Sequence, residues 1–208
     1  MQDVQKDGLV VKYISARLVT VRLNLKGKSN GISCVIAYAP TDSHTSVREE
    51  DLFLAARGST GAEVLKTEQI SVMMDAKTRT SRKGEGRVDD EVLCAFGRDT
   101  LNDNGRRLLA FSAEKQLALV NTFFSAPKRG ISYTFQSPNL GKDRYRLDYS
   151  LTRQSDRRLI QNVTVRRPPL VKQESDHNLV TADVFLENSP LTAAIEDRRA
   201  GGRSTSNN

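Results

Sequence analysis

Alternating apolar and polar side chains predict two strands near the start of the chain. Residues 17–25, RLVTVRLNL, alternate strictly, with Val19 among the apolar positions. Residues 32–38 repeat the alternation with Ile36 on the apolar face, after a turn-forming segment that ends in Asn30-Gly31. A period of two is typical of half-buried strands, and the pair is predicted to form a hairpin.

The rest of the chain is patterned more weakly. An apolar run over residues 70–74 predicts a short strand that ends at Asp75. A helix is predicted over residues 106–116, with a cap among residues 102–104 (NDN). Further predictions are strands at residues 117–122, 132–135, 145–151, 163–165 and 179–186, a short helix at 48–56 and an exposed loop at 77–91.

These elements predict an α+β domain with largely antiparallel sheets, because short strands are many, helices are few and no βαβ alternation is visible. We expect this domain to cover residues 1–187. Residues 188–208 end in AGGRSTSNN, and this composition predicts a disordered tail.

Composition and charge narrow the class of protein. The chain has 208 residues, and 32 Lys and Arg against 25 Asp and Glu give a net charge of +7. That excess favours a polyanionic partner such as nucleic acid. The two cysteines, Cys34 and Cys94, are too few for a disulfide framework or a four-cysteine zinc site. We expect an intracellular protein without a membrane partner, because the sequence shows neither a secretory signal nor an apolar stretch of membrane-spanning length.

Three aspartates and a histidine are the main candidates for chemistry. Asp75 directly follows an apolar run, at a strand end where site residues are often held; a plain turn aspartate is the alternative. Asp148 lies within a predicted strand, where aspartate is disfavoured, so it requires a partner in a site or a cross-strand ion pair. Asp176-His177 suits proton transfer or a hard cation, although Ser175-Asp176 is also ordinary turn chemistry.

Other polar features are weaker candidates. Tyr38 precedes residues 39–41 (APT) and has two interpretations, a phenol directed at a phosphate or a half-buried core tyrosine. The basic clusters Arg157-Arg158 and Arg166-Arg167 suit contacts to a phosphate backbone, and solvation at the surface explains them equally well.

Five short motifs occur in order along the chain. They are Y-A-P-T (38–41), an apolar strand ending in Asp (70–75), N-x-N-G-x-x-L-L (102–109), R-L-D-Y (146–149) and S-D-H (175–177). The ordered set resembles the endonuclease/exonuclease/phosphatase superfamily, and in particular the apurinic-endonuclease-like domains of non-LTR retrotransposons, from about Val19 to Val184. The resemblance implies a four-layer α/β/β/α sandwich of two packed, mostly antiparallel sheets, with the active site at one edge.

The resemblance also implies Mg²⁺-dependent hydrolysis of a phosphate ester by water. His177 matches the catalytic histidine that contacts the scissile phosphate, and Asp148 matches the aspartate that orients it. Asp75 matches the aspartate that aligns or deprotonates the attacking water. Tyr38 matches a tyrosine that reaches toward the phosphate, and Asp176 matches a carboxylate associated with metal binding.

Two features depart from the family pattern. Lys77 replaces the asparagine of the D-x-N motif, and it is predicted to bind substrate as a point charge without the amide's paired donor and acceptor. An alternative register would place Asp75 on the asparagine, but the first register lets Asp75 end its strand. No Glu precedes Glu49, so the family's glutamate ligand is missing; we expect the first strands to be lacking and Mg²⁺ binding to be weak or absent.

The sequence supports two hypotheses for function. The first is a Mg²⁺-dependent phosphodiester hydrolase of DNA, derived from a retrotransposon endonuclease and impaired, which would act in the nucleus. The second is a non-catalytic, truncated remnant that at most binds nucleic acid. A phosphomonoesterase for a small or lipid substrate is a third hypothesis, which the charge does not favour. The sequence indicates no obligate protein partner.

Overall fold

The computed structural model describes residues 4–6, 8–24, 31–39, 68–81, 90–97, 99–128, 130–138, 143–168 and 175–185. The predicted helix at 48–56, most of the predicted turn before residue 31, most of the predicted loop at 77–91 and the predicted tail lie outside these ranges. Within them, no helix has both the length and the apolar character needed to cross a membrane.

Eleven strands and one α-helix make up the described part of the chain. The strands are β1 (Val4–Lys6), β2 (Leu9–Ser15), β3 (Leu18–Leu23), β4 (Ile32–Tyr38), β5 (Gln69–Asp75), β6 (Leu117–Leu119), β7 (Phe135–Gln136), β8 (Arg144–Tyr145), β9 (Asp148–Arg153), β10 (Ile160–Arg166) and β11 (Leu179–Val184). The helix is α1 (Asp103–Glu114), and 3₁₀ turns span Val120–Thr122 and Gln154–Leu159.

The main sheet has seven strands in the order β1-β2-β3-β4-β5-β9-β6. Neighbouring strands are antiparallel except for β4 and β5, which run parallel. The predicted hairpin of β3 and β4 is confirmed. The first two strands, β1 and β2, were not predicted. In β2, the consecutive apolar residues of LVVKYIS break the alternation from which strands are recognised.

Helix α1 covers one face of the main sheet. Leu108 and Phe111 of the helix share one apolar core with Val35, Val72 and Leu151 of the sheet. Burying a side chain of this size contributes about 1.5–3 kcal/mol, so this layer is a main source of stability. The opposite face of β4, β5 and β9 is not covered by α1, and it carries the candidate site.

The predicted start of helix α1 is confirmed, with Asn102 as its cap. Asn102 Oδ1 accepts the backbone N–H of Gly105 at 2.9 Å, the N–H of Arg79 at 3.1 Å and the hydroxyl of Thr78 at 3.1 Å. A Cβ at Gly105 would lie 2.0 Å from the carbonyl oxygen of Arg79, so only glycine permits this approach. The N-x-N-G motif therefore ties the helix to the segment that follows β5.

The alternation within β3 and β4 is confirmed, but the tightly packed core lies on the face opposite to Val19 and Ile36. Ser33 is buried, whereas Val19 is half-buried and Ile36 is 46% exposed. Ser33 is satisfied in the core because its hydroxyl donates to the buried carboxylate of Glu68 at 2.7 Å, and Glu68 also pairs with Arg22. Polar groups can be buried when they are hydrogen-bonded in this way.

The predicted continuous strand through the R-L-D-Y motif is wrong, because the chain leaves the sheet between β8 and β9. The N–H of Arg146 donates to the Asp99 carboxylate at 2.8 Å, and the N–H of Leu147 donates to Thr134 Oγ1 at 2.9 Å. Both backbone donors therefore bind side chains instead of a neighbouring strand. Arg146 does not share a wet face with Asp148, since its side chain is directed into the protein and only 5% of the residue is exposed.

Strands β10 and β11 form a second, antiparallel sheet. Val120, Ile160 and Val163 form a small separate core with this sheet. Val180 and Ala182 of β11 also line a groove shared with the main sheet. The predicted α+β fold with two packed sheets is thus confirmed, with α1 on the outer face of the main sheet.

Several predicted strand boundaries differ from those observed. β6 stops at Leu119, where the chain turns into a 3₁₀ turn, and the strand predicted at 132–135 is reduced to Phe135–Gln136. β10 is longer than predicted, because it pairs with β11 from Ile160 to Arg166.

Candidate active site

Three predicted site residues lie side by side at one end of the main sheet. Tyr38 of β4 is in register with Asp75 of β5, and Asp75 is in register with Asp148 of β9. Side chains in register on neighbouring strands project from the same face of a sheet. Asp75 is the last residue of its strand, as the sequence predicts.

His177 reaches this row of residues from the segment before β11. Its Nδ1 lies 2.9 Å from Asp148 Oδ2, and its Nε2 lies 3.9 Å from Asp75 Oδ2. The His177 ring also packs against Phe135, with 5.1 Å between the ring centroids. Ligand atoms of Asp75, Asp148 and His177 all lie within 4.8 Å of one another, so two residues 102 positions apart in sequence, Asp75 and His177, meet at one point.

The surroundings of His177 favour its protonated form. The hydrogen bond with Asp148 raises the pKa of His177 most strongly, burial lowers it, and the negative charges of Asp148 and Asp75 raise it further against an opposing effect of Lys77. The net result is a pKa above the ordinary value of 6.5. When it is protonated, an imidazole in this position is suited to binding an anionic substrate.

Lys77 contacts the same Asp75 oxygen, Oδ2, that His177 faces. Its Nζ lies 2.7 Å from Asp75 Oδ2 and 5.1 Å from the centroid of the Tyr38 ring. Its backbone N–H donates to Asp75 Oδ1 at 3.2 Å, and its φ of 48° is in the left-handed region. Burial lowers the pKa of Lys77, but the hydrogen bond and charge of Asp75, together with Tyr38, outweigh burial and raise it above 10.5. The lysine therefore stays positively charged.

Tyr38 lies at the open end of the row, with 47% of its surface exposed. The guanidinium of Arg17 lies 5.7 Å from the ring centroid, on a ring that also contacts Lys77. The exposed Tyr38 ring is therefore contacted by two cations.

Asp176, the predicted metal ligand, is not one of the donors that lie within 4.8 Å of one another. It is exposed, and its backbone carbonyl accepts the N–H of Gln136 at 2.9 Å. Within the described ranges, the group of metal-ligating side chains comprises Asp75, Asp148 and His177. Two carboxylates with an imidazole suit a divalent cation by donor type.

The comparisons with known proteins agree with this geometry. No protein-family profile matches the chain. Over 176 residues the chain is 29% identical to Craniofacial development protein 2 of Bos taurus, which is 82% of this chain and 27% of that protein. It is 38% identical over 92 residues to the protein of the same name from Tragulus javanicus, which is 44% of this chain and 15% of that protein. The chain thus spans about a quarter of the length of the bovine relative.

Solved structures with a similar fold include two enzymes. The endonuclease domain of TRAS1, a telomere-specific non-LTR retrotransposon, superposes with a TM-score of 0.56 at 17% identity, over 89% of this chain and 73% of that one. The 3′ phosphatase NExo from Neisseria, bound to a product DNA hairpin, has a TM-score of 0.52 at 16% identity, over 82% of this chain and 65% of that one. The chain therefore has the endonuclease/exonuclease/phosphatase fold.

Two polar residues outside the sequence motifs hold Asp148 of this site in place. The hydroxyl of buried Thr134 accepts the backbone N–H groups of Leu147 at 2.9 Å and of Asp148 at 3.0 Å. The amide of Asn121 donates to the carbonyl of Asp148 at 3.2 Å and accepts the N–H of Ser150 at 2.6 Å. A lone threonine or asparagine carries no sequence signal, because its partners are distant in the chain.

Arg146, the first residue of R-L-D-Y, joins three chain segments beneath the site. Its Nη1 donates to the carbonyl of Phe96 at 2.9 Å and of Asn121 at 3.3 Å, and its Nη2 donates to the carbonyl of Ser132 at 3.1 Å. The planar guanidinium supplies several donors with fixed geometry, which a lysine lacks. The arginine of the motif is therefore structural, while the aspartate two residues later faces the site.

An open groove of about 470 Å³ runs from the site between the two sheets. Its apolar lining includes Val19, Ile36 and Met73 of the main sheet, and Asp75 and Asp148 also border it. The candidate site therefore lies beside an apolar cleft large enough for a small organic group.

Two arginine–tyrosine pairs lie next to the site on strand β8 and its neighbours. The guanidinium of Arg144 lies 4.8 Å from the Tyr133 ring, and that of Arg79 lies 5.1 Å from the Tyr145 ring. Tyr145 is in register with Phe135, the residue that packs against the site histidine. Positive charge and aromatic surface therefore occur together near Phe135, the residue that packs against His177.

Proposed function

We propose that the chain is a phosphodiester hydrolase of the DNA endonuclease type, descended from a retrotransposon endonuclease, dependent on Mg²⁺ and impaired. The observation that carries this proposal is the convergence of Asp75, Asp148 and His177 within 4.8 Å. The similarity of the fold to the TRAS1 endonuclease domain supports the reaction class and the origin.

His177 is the proposed phosphate-binding residue. Its Nδ1 is engaged by Asp148 at 2.9 Å, which fixes the ring orientation and leaves Nε2 to contact the substrate. A protonated imidazole stabilises the negative charge on the phosphate oxygens as the bond to the leaving oxygen breaks. Asp148 acts through His177 and is a positioning residue.

Asp75 is the proposed base that activates water. Its carboxylate lies 3.9 Å from His177 Nε2, so a water bound to Asp75 lies next to a phosphate held by the histidine. The water oxygen forms a bond to phosphorus, and its proton passes to Asp75. The bond from phosphorus to the sugar oxygen breaks, and the leaving oxygen takes a proton from solvent. Tyr38 and Lys77, which flank Asp75, are proposed to bind phosphate oxygens.

Asp75 and Asp148 would supply the carboxylate oxygens for a divalent cation, with exposed Asp176 as a further proposed ligand. A bound cation neutralises charge on the phosphate and on the leaving oxygen. Mg²⁺ requires well-placed oxygen ligands, and one of these carboxylates already binds Lys77 at 2.7 Å. We therefore propose weak metal binding as the cause of impairment.

DNA is the proposed substrate, and the nucleus is the proposed site of action. The net charge of +7 favours a polyanion. The pairs Arg144–Tyr133 and Arg79–Tyr145 combine cations for phosphate with aromatic rings for exposed bases. Binding should therefore weaken steeply as salt is raised.

A second candidate function is nucleic-acid binding without cleavage. The ion pair of Lys77 with Asp75 favours it, because it neutralises the proposed base. Both candidates predict salt-dependent binding to DNA, so cleavage is the property that separates them.

The test is nicking of supercoiled plasmid by the purified chain with Mg²⁺ and with EDTA. Asp148→Asn should lower the nicking rate at least about 100-fold, because general acid–base and orienting groups contribute that much. Asp103→Asn is the matched control, since Asp103 has an 88% exposed side chain at the start of α1. His177→Ala should abolish nicking.

Nicking that is equal in wild type, Asp148→Asn and His177→Ala would refute the enzymatic proposal and indicate a contaminant. Salt-sensitive DNA binding with no nicking in any protein would support the binding function. Nicking that persists in EDTA at the full rate would refute the metal dependence.

A further inference from the structure

The contacts of Lys77 with Asp75 use both oxygens of the carboxylate. The ammonium binds Oδ2 at 2.7 Å, while the backbone N–H of the same residue binds Oδ1 at 3.2 Å. The Asp75 side chain is only 12% exposed, so little room is left for water to replace these contacts. Asp75 is therefore occupied by a residue two positions along the chain.

The local structure holds Lys77 in this position. Its backbone φ is 48°, its backbone N–H donates to Asp75 Oδ1, and its Nζ lies 5.1 Å from the centroid of the Tyr38 ring. A left-handed backbone is uncommon for a residue with a long side chain. The contact is therefore built into the turn after β5 and is not a chance encounter of two surface charges.

A divalent cation at the same donors would need the oxygen that Lys77 now binds. The donor group of Asp75, Asp148 and His177 spans 4.8 Å, so every position within it is close to the ammonium on Asp75 Oδ2. Two positive charges at such a distance repel each other. One carboxylate oxygen also cannot bind the ammonium and the metal ion equally strongly at the same time.

We infer that Lys77 is a built-in cation that competes with a divalent metal ion for Asp75, so that the ion binds only when the lysine releases the carboxylate. The inference deepens the proposed function, on which its biological meaning rests. It identifies Lys77 as the residue that sets the metal requirement of the site, through its contact with Asp75.

The experiment measures Mn²⁺ binding to the full chain without DNA, by electron paramagnetic resonance of the free ion. Lys77→Gly is the main variant, because glycine accepts a positive φ and adds no ligand atom. It should bind Mn²⁺ at least tenfold more tightly than wild type. Lys77→Arg, which keeps the positive charge, should bind Mn²⁺ as weakly as wild type.

Two controls identify the cause of the gain in Mn²⁺ affinity. Lys128→Gly removes the same charge at an exposed position and should change the dissociation constant less than twofold. Adding Asp75→Asn to Lys77→Gly should abolish the gain, because the released carboxylate is then absent. A thermal melt of each protein checks that it is folded.

A dissociation constant for Lys77→Gly within twofold of wild type, or no saturable binding in either protein, would overturn the inference. Tighter binding in Lys128→Gly would also overturn it, since net charge would then be the cause. A tenfold gain without any plasmid nicking would leave the competition standing while the proposed hydrolase function fails.

Discussion

Replacing Arg146 by methionine should remove a large part of the stability of the domain. The wild-type guanidinium makes three hydrogen bonds of 2.9–3.3 Å to the carbonyls of Phe96, Asn121 and Ser132. Each bond to a charged group is worth about 1.5–3 kcal/mol, but the variant also escapes the cost of burying a charge. Removing one partner from a buried charged network costs about 3–5 kcal/mol net, against a typical total of about 5–15 kcal/mol.

The assay is equilibrium unfolding in urea followed by circular dichroism, with Arg144→Met as the matched control. Arg144 is exposed and packs on the Tyr133 ring at 4.8 Å, so its loss should cost about 0.5–1 kcal/mol. A loss below about 1 kcal/mol for Arg146→Met, or equal losses in the two variants, would refute the view that Arg146 joins the segments beneath the site.

Three further predictions concern the helix cap and the site histidine. Gly105→Ala should destabilise by about 1–3 kcal/mol despite the better helix propensity of alanine, because its Cβ would lie 2.0 Å from the carbonyl oxygen of Arg79. Asn102→Ala should cost about 1–2 kcal/mol in urea unfolding, because it removes the N-cap. The folded pKa of His177 lies above 6.5, so its stabilising contribution should be complete below that pH and be lost as pH rises through the raised pKa; His177→Gln should flatten this slope.

Each of these predictions has a clear contrary result. A gain in stability for Gly105→Ala would show that the helix can move away from its neighbour. Wild-type stability of Asn102→Ala would show that water replaces the cap, and Asp103→Ala, at the exposed next position, is its control. An unchanged dependence of stability on pH in His177→Gln would show that the histidine gains no partner on folding.

The strands β3 and β4 show which part of the fold a sequence can predict. Their period of two is a local property, and it was sufficient to locate both strands. The face that carries the tight core was not predictable, because burial of Ser33 depends on Glu68, 35 positions away, and on the pairing of Glu68 with Arg22. The partners of such a buried polar group are distant in sequence, so they can be identified only in the folded structure.

The candidate site was also only partly predictable from the sequence. Asp75, Asp148 and His177 stand in recognisable motifs, and the structure brings them together. The ion pair of Lys77 was not predicted, because it depends on a left-handed φ of 48° after β5. Thr134, which holds the backbone at Asp148, belongs to no motif.

The row formed by Tyr38, Asp75 and Asp148 joins site assembly to strand alignment. Side chains alternate between the faces of a sheet, so a slip of one residue in β5 would turn Asp75 toward α1 and leave a neighbour in its place. A shift in the register of the central strands would therefore also disrupt the site. Any probe of the contact between Asp148 and His177, such as the imidazole proton resonance, is also a probe of whether the central strands have met in their native alignment.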